Sequence, residues 1–168
     1  ARLRAVARYL REHPEFHSVW FDFMCLPQNT NQPDKKTGDM PEVPYPVDYT
    51  RNEFEEAYFD FILKNAVNIL YLSASVLSIV NAHYLQRFWP QFEYYLGTRD
   101  VCKGGFRPSK RRSVVRCIES QEGTDDETAL QLQAKWHELS AGQAKQKLTK
   151  RDVAAANNSD KEIMAGKL

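Results

Sequence analysis

Ser18-Val-Trp-Phe-Asp-Phe-Met-Cys-Leu26 is the stretch of sequence from which the predicted fold is built. It is a short apolar run that carries one acid, Asp22, and it is bounded by Pro14 and Pro27. Apolar runs of this length between helix-breaking residues are typical of strands that are buried on both faces. We therefore predict a strand over Ser18–Leu26. Asp22 then needs a partner, because an unpaired buried charge is costly.

Two later apolar runs have the same character. Val67-Asn-Ile-Leu-Tyr-Leu-Ser73 and Ser113-Val-Val-Arg-Cys-Ile-Glu119 are predicted as the second and third strands. Residues 75–83 between them are predicted as a short helix or a turn, and residues 152–156 as a weak last strand. The proline-rich segment 27–49 and the basic segment 99–112 are predicted as loops.

Helices are predicted before and between these strands. Leu3, Val6, Ala7 and Leu10 recur at helical spacing ahead of a proline, which predicts a first helix. Thr50-x-x-Glu53 has the pattern of a capping box and predicts a helix to about Asn65. Its aromatic stripe is expected to lie in the core and consists of Phe54, Tyr58 and Phe61.

Three further capping patterns follow in the last third of the chain: Thr124-x-x-Glu127, Ser140-x-x-Gln143 and Ser159-x-x-Glu162. Strands that alternate with capped helices predict an α/β fold with a mostly parallel sheet that helices flank on both faces. We expect one domain over residues 1–168, with a core over 1–120 and a C-terminal helical extension over 121–168.

Composition narrows the functional classes. The chain has 168 residues, a formal net charge of +1 and three cysteines without a CxxC pair. A disulfide framework, a metal site and a nucleic-acid partner are therefore not expected. The most apolar stretch, residues 67–80, is too short and too polar for a membrane span. The odd number of unpaired cysteines is typical of a reducing compartment, so a cytoplasmic location is expected.

Arg87-Phe-Trp-Pro-Gln-Phe-Glu93 predicts the start of another helix. Proline is tolerated in a first turn, so a helix beginning near Trp89 accommodates Pro90. Residues four apart share a helix face, which places Trp89 and Glu93 side by side. Gly97 is expected to end this helix as its C′ residue.

Two of these segments resemble known families. Trp20-Phe-Asp-Phe-Met-Cys-Leu-Pro-Gln28 resembles the signature of heterokaryon-incompatibility (HET) domains, with matches at Trp20, Asp22, Cys25 and Gln28. The segment from Arg87 to Glu93 resembles the motif of Toll/interleukin-1 receptor (TIR) domains in which a tryptophan precedes a glutamate by four residues. The resemblance covers residues 18–97 and implies a flavodoxin-like architecture, with the usual first strand missing from this fragment.

The resemblance also implies an activity. In TIR enzymes the matching glutamate is required for cleaving NAD+, so Glu93 becomes the candidate catalytic residue. Trp89, Asp22, Arg87 and Phe88 become candidate substrate-binding residues. NAD+ would be a substrate, and no cofactor is implied. The resemblance also implies self-association between like domains. The expected role is in signalling, innate immunity or cell death. The alternative is a non-catalytic TIR-like interaction module, and a weaker one is a flavodoxin-like domain that binds another nucleotide.

Structural interpretations of the same residues stay open. Glu93 can be an ordinary helix glutamate near a positive helix end. Asp22 is expected to brace the cleft, paired with loop amides or with Arg51 or Arg87, and Cys25 is expected to be buried and inert. An exposed basic loop is the favoured interpretation of a cluster made of Lys103, Arg107, Lys110, Arg111, Arg112 and Arg116.

Overall fold

In the computed structural model of the chain, the described residues are 2–21, 25–27, 50–81, 84–109, 111–118, 124–150, 153 and 158–168. The chain divides into two compact units. The larger unit consists of Ala1–Pro14 and Val67–Leu168, and the smaller unit consists of Glu15–Ala66.

A two-stranded parallel sheet lies at the centre of the larger unit. Strand β1 (Val76–Val80) pairs with β4 (Ser113–Cys117), and the register runs from Val76 opposite Ser113 to Val80 opposite Cys117. The prediction of a strand over 113–119 is therefore confirmed for the residues of β4.

Helices flank this sheet. Helix α1 (Arg2–Glu12) packs against β1. Helix α1 is also linked to β4, because the Arg116 guanidinium lies 3.9 Å from a Glu12 carboxylate oxygen and over the Tyr9 ring. Helix α4 (Phe88–Gly97) also packs against β1, and α5 (Thr124–Trp136) packs against β4. The larger unit is thus a mixed α/β structure, as the sequence predicts, although its sheet is small.

The hydrophobic core of the larger unit lies around α4. It combines Phe88, Phe92 and Tyr95 of α4 with Val115 of β4 and with residues of the C-terminal helices. Those helices are α5, α6 (Ala141–Leu148) and α7 (Asn158–Ala165), and their core residues include Leu132, Trp136, Leu148 and Met164. Residues after position 120 therefore share one core with the sheet.

The second predicted strand is wrong. Val67–Ser73 forms helix α3, and the strand β1 lies just after it, where a short helix or a turn is predicted.

The end of helix α3 is capped by an arginine from a distant part of the chain. The Arg112 Nη1 donates to the carbonyl oxygens of Tyr71 at 3.3 Å and Ala74 at 3.0 Å. These carbonyls stand at the C-terminal end of α3, where they lack helical partners, so a residue about 40 positions away stabilises the end of this helix.

The predicted basic loop over 99–112 is also wrong in its first part. Strand β2 (Arg99–Cys102) pairs antiparallel with β3 (Gly105–Pro108) in a hairpin. Gly105 has a φ of 110°, which side chains rarely tolerate, and it sits directly after the turn.

The smaller unit contains helix α2 (Glu53–Phe61), followed by a π-helical turn over Ile62–Ala66. The predicted helix is confirmed, but Asn52 and Glu55, not Thr50 and Glu53, form the capping box. Arg51, ahead of the cap, bonds the Pro27 carbonyl at 3.2 Å.

The aromatic stripe of α2 does not lie in a core. Phe54 is 79% exposed, Tyr58 is 44% exposed and Phe61 is 60% exposed, so the prediction that these side chains are buried is wrong. Burial of an amphipathic face requires a packing partner. These three side chains remain accessible to solvent, so the stripe does not form a core among the described residues.

The first predicted strand is not found in its described residues. Ser18–Phe21 and Cys25–Leu26 contain no strand, and residues 22–24, including Asp22, lie outside the described residues. Cys25 is exposed, which corrects the expectation of a buried cysteine. The predicted last strand over 152–156 falls almost wholly outside the described residues as well.

No helix in the described part of the chain has both the length and the apolar character that crossing a membrane requires.

Candidate functional site

Helix α4 is positioned by its own first turn. Arg87 is the N-cap residue in an extended conformation, with φ −101° and ψ 139°, and its side chain does not cap the helix. Pro90 occupies the third helical position, where no intrahelical partner for a backbone N–H is available. The prediction of a helix that begins near Trp89 and tolerates Pro90 is therefore confirmed.

Only one face of α4 is partly open. Of its ten residues, seven are buried, and the other three, Trp89, Pro90 and Glu93, are partly exposed. Residues three and four apart lie next to one another on a helix surface. The three partly exposed residues therefore form one continuous patch, which we call the α4 face, with Glu93 between the other two.

Glu93 of the α4 face lies near a buried tyrosine. Tyr84 precedes α4 in a 3-10 turn over Tyr84–Gln86 and is 7% exposed. Burial raises the pKa of the Tyr84 hydroxyl, the adjacent Ser78 hydroxyl lowers it, and the negative charge of Glu93 raises it again. The carboxylate of Glu93 is thus close enough to Tyr84 to act on it electrostatically.

The Trp89 indole has one side in the core and one side toward solvent. Its ring meets Phe88 edge-on at 5.5 Å between centroids and Phe92 edge-on at 6.0 Å. These contacts fix the orientation of the indole while leaving it partly exposed beside Glu93. An aromatic surface next to a carboxylate can hold a planar, electron-poor ring.

The structure places the other candidate residues elsewhere. Phe88 is fully buried and stacks on Phe92 at 5.5 Å, so its ring belongs to the core. The Arg87 side chain is exposed, and its backbone carbonyl accepts a hydrogen bond from Gln91 Nε2 at 3.1 Å. Asp22 lies outside the described residues. The α4 face therefore unites Trp89 and Glu93, and Phe88 does not join them.

A buried polar chain holds α4 to the helices behind it. Gln91 is fully buried, and its Oε1 accepts a hydrogen bond from Lys135 Nζ of α5 at 2.7 Å. In turn, Lys147 Nζ of α6 donates to the Lys135 carbonyl at 2.8 Å. These residues are not recognisable in the sequence, because a glutamine inside a helix carries no local sign of a partner 44 positions away.

The basic residues of 99–116 are mostly engaged with the protein itself. Arg99 is buried and donates to the backbone carbonyls of His137, at 2.7 Å, and Trp136. Arg112 caps α3 and lies 3.3 Å from an Asp100 oxygen, and Arg107 lies 3.8 Å from the other oxygen of Asp100. Lys110 lies outside the described residues. Within the predicted basic cluster, Lys103, Arg107 and Arg111 are exposed, as expected, whereas Arg112 and Arg116 are partly buried and bond to other parts of the protein.

Among the residues that the structure describes, no group of three or more histidine, cysteine, aspartate or glutamate side chains is arranged to hold a metal ion. The three cysteines, which are all described, form no disulfide.

No protein-family model, curated protein or solved structure matches this chain. The features that bear on function are therefore the geometry of the α4 face and the resemblance of its motif.

Proposed function

We propose that this chain is a TIR/HET-like domain with a flavodoxin-like topology that hydrolyses NAD+ at the bond between nicotinamide and ribose. The observation that carries the proposal is the α4 face, where Glu93 and Trp89 are the partly exposed residues of an otherwise buried helix. Functional side chains need access to a ligand together with a rigid support, and this face has both.

The order of elements supports the same proposal. The motif resembles one in which the glutamate helix follows a parallel strand, and here α4 follows β1, which pairs parallel with β4. Correcting the strand from 67–73 to 76–80 shortens the connection to the helix. In parallel sheets, ligands bind beyond the carboxyl ends of the strands, and the connection from Val80 to α4 leaves the sheet at that end.

The chemistry requires little more than one carboxylate. Breaking the glycosidic bond of NAD+ passes through an oxocarbenium-like state, as glycoside hydrolysis does. A carboxylate near the ribose can bind its hydroxyls and stabilise the developing positive charge. The nicotinamide leaves as a neutral molecule with the bonding electron pair, so no general acid is needed. A water molecule then adds to the ribose carbon and releases its proton to solvent. Glu93 takes the role of this carboxylate, and Trp89 takes that of the aromatic wall for the nicotinamide ring.

The experiment that tests this proposal incubates the protein with NAD+ and measures the released nicotinamide by chromatography. We expect wild-type protein to release it and Glu93→Gln to lower kcat by about 100-fold or more, since a single stabilising group is commonly worth that much. Glu138→Gln is the matched control, because the Glu138 side chain is 89% exposed and lies outside the α4 face. The proposal would be contradicted if Glu93→Gln released nicotinamide at the wild-type rate, or if the wild-type protein released none.

A second candidate function is a non-catalytic interaction module, and the exposed stripe of α2 favours it. Phe54, Tyr58 and Phe61 present a continuous apolar surface at helical spacing. Exposed apolar patches often mark protein–protein contacts. In this alternative, copies of the chain associate and the α4 face has no catalytic role.

Sedimentation velocity over a range of protein concentrations separates the two functions. If the chain is an interaction module, wild-type protein associates as its concentration rises. The double variant that combines Phe54→Ser and Phe61→Ser stays monomeric. No oligomer then releases nicotinamide. Release that depends on Glu93 in monomer and oligomer alike would reject this alternative.

A further inference from the structure

Tyr84 links the end of β1 to the first turn of α4. Its backbone N–H donates to the Asn81 carbonyl at 3.0 Å, directly after the strand. Its side-chain hydroxyl donates to the Pro90 carbonyl at 2.9 Å, inside the helix. One residue therefore ties the strand end to the turn that carries Pro90.

The position of Pro90 makes this bond relevant to Glu93. Pro90 lies three residues before Glu93, which is about one helical turn, so both belong to the same face. The pyrrolidine ring fixes φ at Pro90, and the hydroxyl of Tyr84 holds its carbonyl oxygen. Rotation of the first turn of α4 would break this bond and carry the α4 face with it.

The Tyr84 hydroxyl is suited to a permanent role as donor. Burial is the main cause that raises its pKa; the Ser78 hydroxyl lowers the pKa by less, and the Glu93 carboxylate raises it again. Like any tyrosine the phenol is neutral at physiological pH, and the raised pKa means that it keeps its proton for the Pro90 carbonyl in alkali as well.

We propose that Tyr84 is a positioning residue for Glu93: its hydroxyl, bound to the Pro90 carbonyl, holds the first turn of α4 so that Trp89 and Glu93 keep one orientation. The catalytic consequence of this inference rests on the proposed function, whereas the orientation of Glu93 does not. Tyr84 acts through Pro90 and does not need to touch the substrate.

The chain offers a matched control in Tyr95. This residue is also a buried tyrosine of the α4 region, and its hydroxyl donates to the Leu139 carbonyl at 3.3 Å. It lies two positions from Glu93, on a different face of the helix. Tyr84→Phe and Tyr95→Phe each remove one buried hydroxyl and one bond to a carbonyl, so their costs in stability are expected to be similar.

The kinetic arm compares nicotinamide release by the two variants. We expect Tyr84→Phe to lower kcat by about 10- to 100-fold with KM unchanged, because small displacements of a catalytic group have effects of this size. Tyr95→Phe should keep the wild-type kcat. Equal losses of kcat in the two variants would show a general effect of stability and would overturn the proposal.

The spectroscopic arm does not depend on activity. The carboxyl carbon resonance of Glu93 is observed in protein labelled with 13C-glutamate and is assigned by its absence in Glu93→Gln. Tyr84→Phe should shift this resonance, and Tyr95→Phe should leave it in place. An unchanged Glu93 resonance in Tyr84→Phe overturns the inference. If wild-type protein releases no nicotinamide, the proposed function fails, while the resonance still decides the role of Tyr84.

Discussion

Val76 packs against Gly97 so closely that a β-carbon at position 97 would lie 2.8 Å from the Val76 Cγ2 atom. Gly97 is the last residue of α4 and Val76 is the first residue of β1, so this contact sets the spacing between helix and sheet. The glycine is therefore needed for close approach, not for the C′ position that the sequence predicts, and Thr98 is the C-cap.

Gly97→Ala should lower the free energy of unfolding by about 1–3 kcal/mol, because the stiff valine cannot move away without repacking. Gly142→Ala is the control. Position 142 in α6 has no atom within 4 Å of an added β-carbon, so that substitution should raise stability by about 0.5–1 kcal/mol. Urea unfolding followed by circular dichroism measures both. A Gly97→Ala protein as stable as wild type would contradict the close packing of α4 on β1.

Arg99→Met should be among the most destabilising single substitutions in the larger unit. The Arg99 guanidinium donates to the His137 and Trp136 carbonyls at the end of α5 and lies over the Tyr95 ring at 4.3 Å. Removing it leaves buried carbonyls without a donor, which should cost about 2–4 kcal/mol. Thermal and urea unfolding measure the loss.

Arg107→Met is the comparison for Arg99→Met, because the Arg107 side chain is 68% exposed. Its effect should stay within about 0.5 kcal/mol. Equal effects of the two substitutions would mean that Arg99 does not hold α5.

Stability should fall in alkali, and Tyr94 should contribute to the fall. Burial raises the pKa of the Tyr94 hydroxyl to about 12, against a lowering by Arg99. In the unfolded chain the phenol has a pKa near 10.0. Between pH 10.0 and about 12 the unfolded state therefore has fewer bound protons than the folded state. The stabilising contribution is therefore fully present below pH 10 and is lost as the pH rises toward 12.

Urea unfolding from pH 8 to 12 should show a shallower loss of stability in Tyr94→Phe than in wild type. Tyr58→Phe, at a residue that is 44% exposed, is the control. Identical pH dependence in wild type and Tyr94→Phe would argue against burial as the cause.

Substitutions in the α2 stripe should be nearly neutral for stability. Phe54→Ser and Phe61→Ser remove side chains that are 79% and 60% exposed, so each should change the free energy of unfolding by less than about 0.5 kcal/mol. Phe92→Ser empties a fully buried site and should cost about 3 kcal/mol or more. A large loss in Phe54→Ser, measured by urea unfolding, would restore the interpretation of this stripe as core.

Several features of the fold follow from local sequence alone. The helix before Pro14, the helix start that accommodates Pro90 and the capping box of Ser140 with Gln143 are found as predicted. The side-by-side placement of Trp89 and Glu93 belongs to the same group, because helical spacing determines it. Each depends on residues a few positions apart, so the information is local.

The assignment of residues 67–80 was decided by distant partners. Both Val67–Ser73 and Val76–Val80 are short apolar runs, and periodicity does not separate a buried strand from a buried helix at this length. The chain from 53 to 73 contains neither glycine nor proline, which was the available signal for continued helix. Pairing with β4 and the cap from Arg112 then fix which run becomes the strand.

By itself, the sequence determined the alternation of helices and apolar runs, the start of α4 and the shared helix face of Trp89 and Glu93. Only the tertiary structure decided that Phe88 is buried, that Tyr84 holds Pro90 and that the α2 stripe is exposed. The physical reason is that helix starts and helical spacing depend on neighbours within about one turn of the chain. Burial and side-chain hydrogen bonds depend on which distant surfaces meet, as between Arg99 and the end of α5.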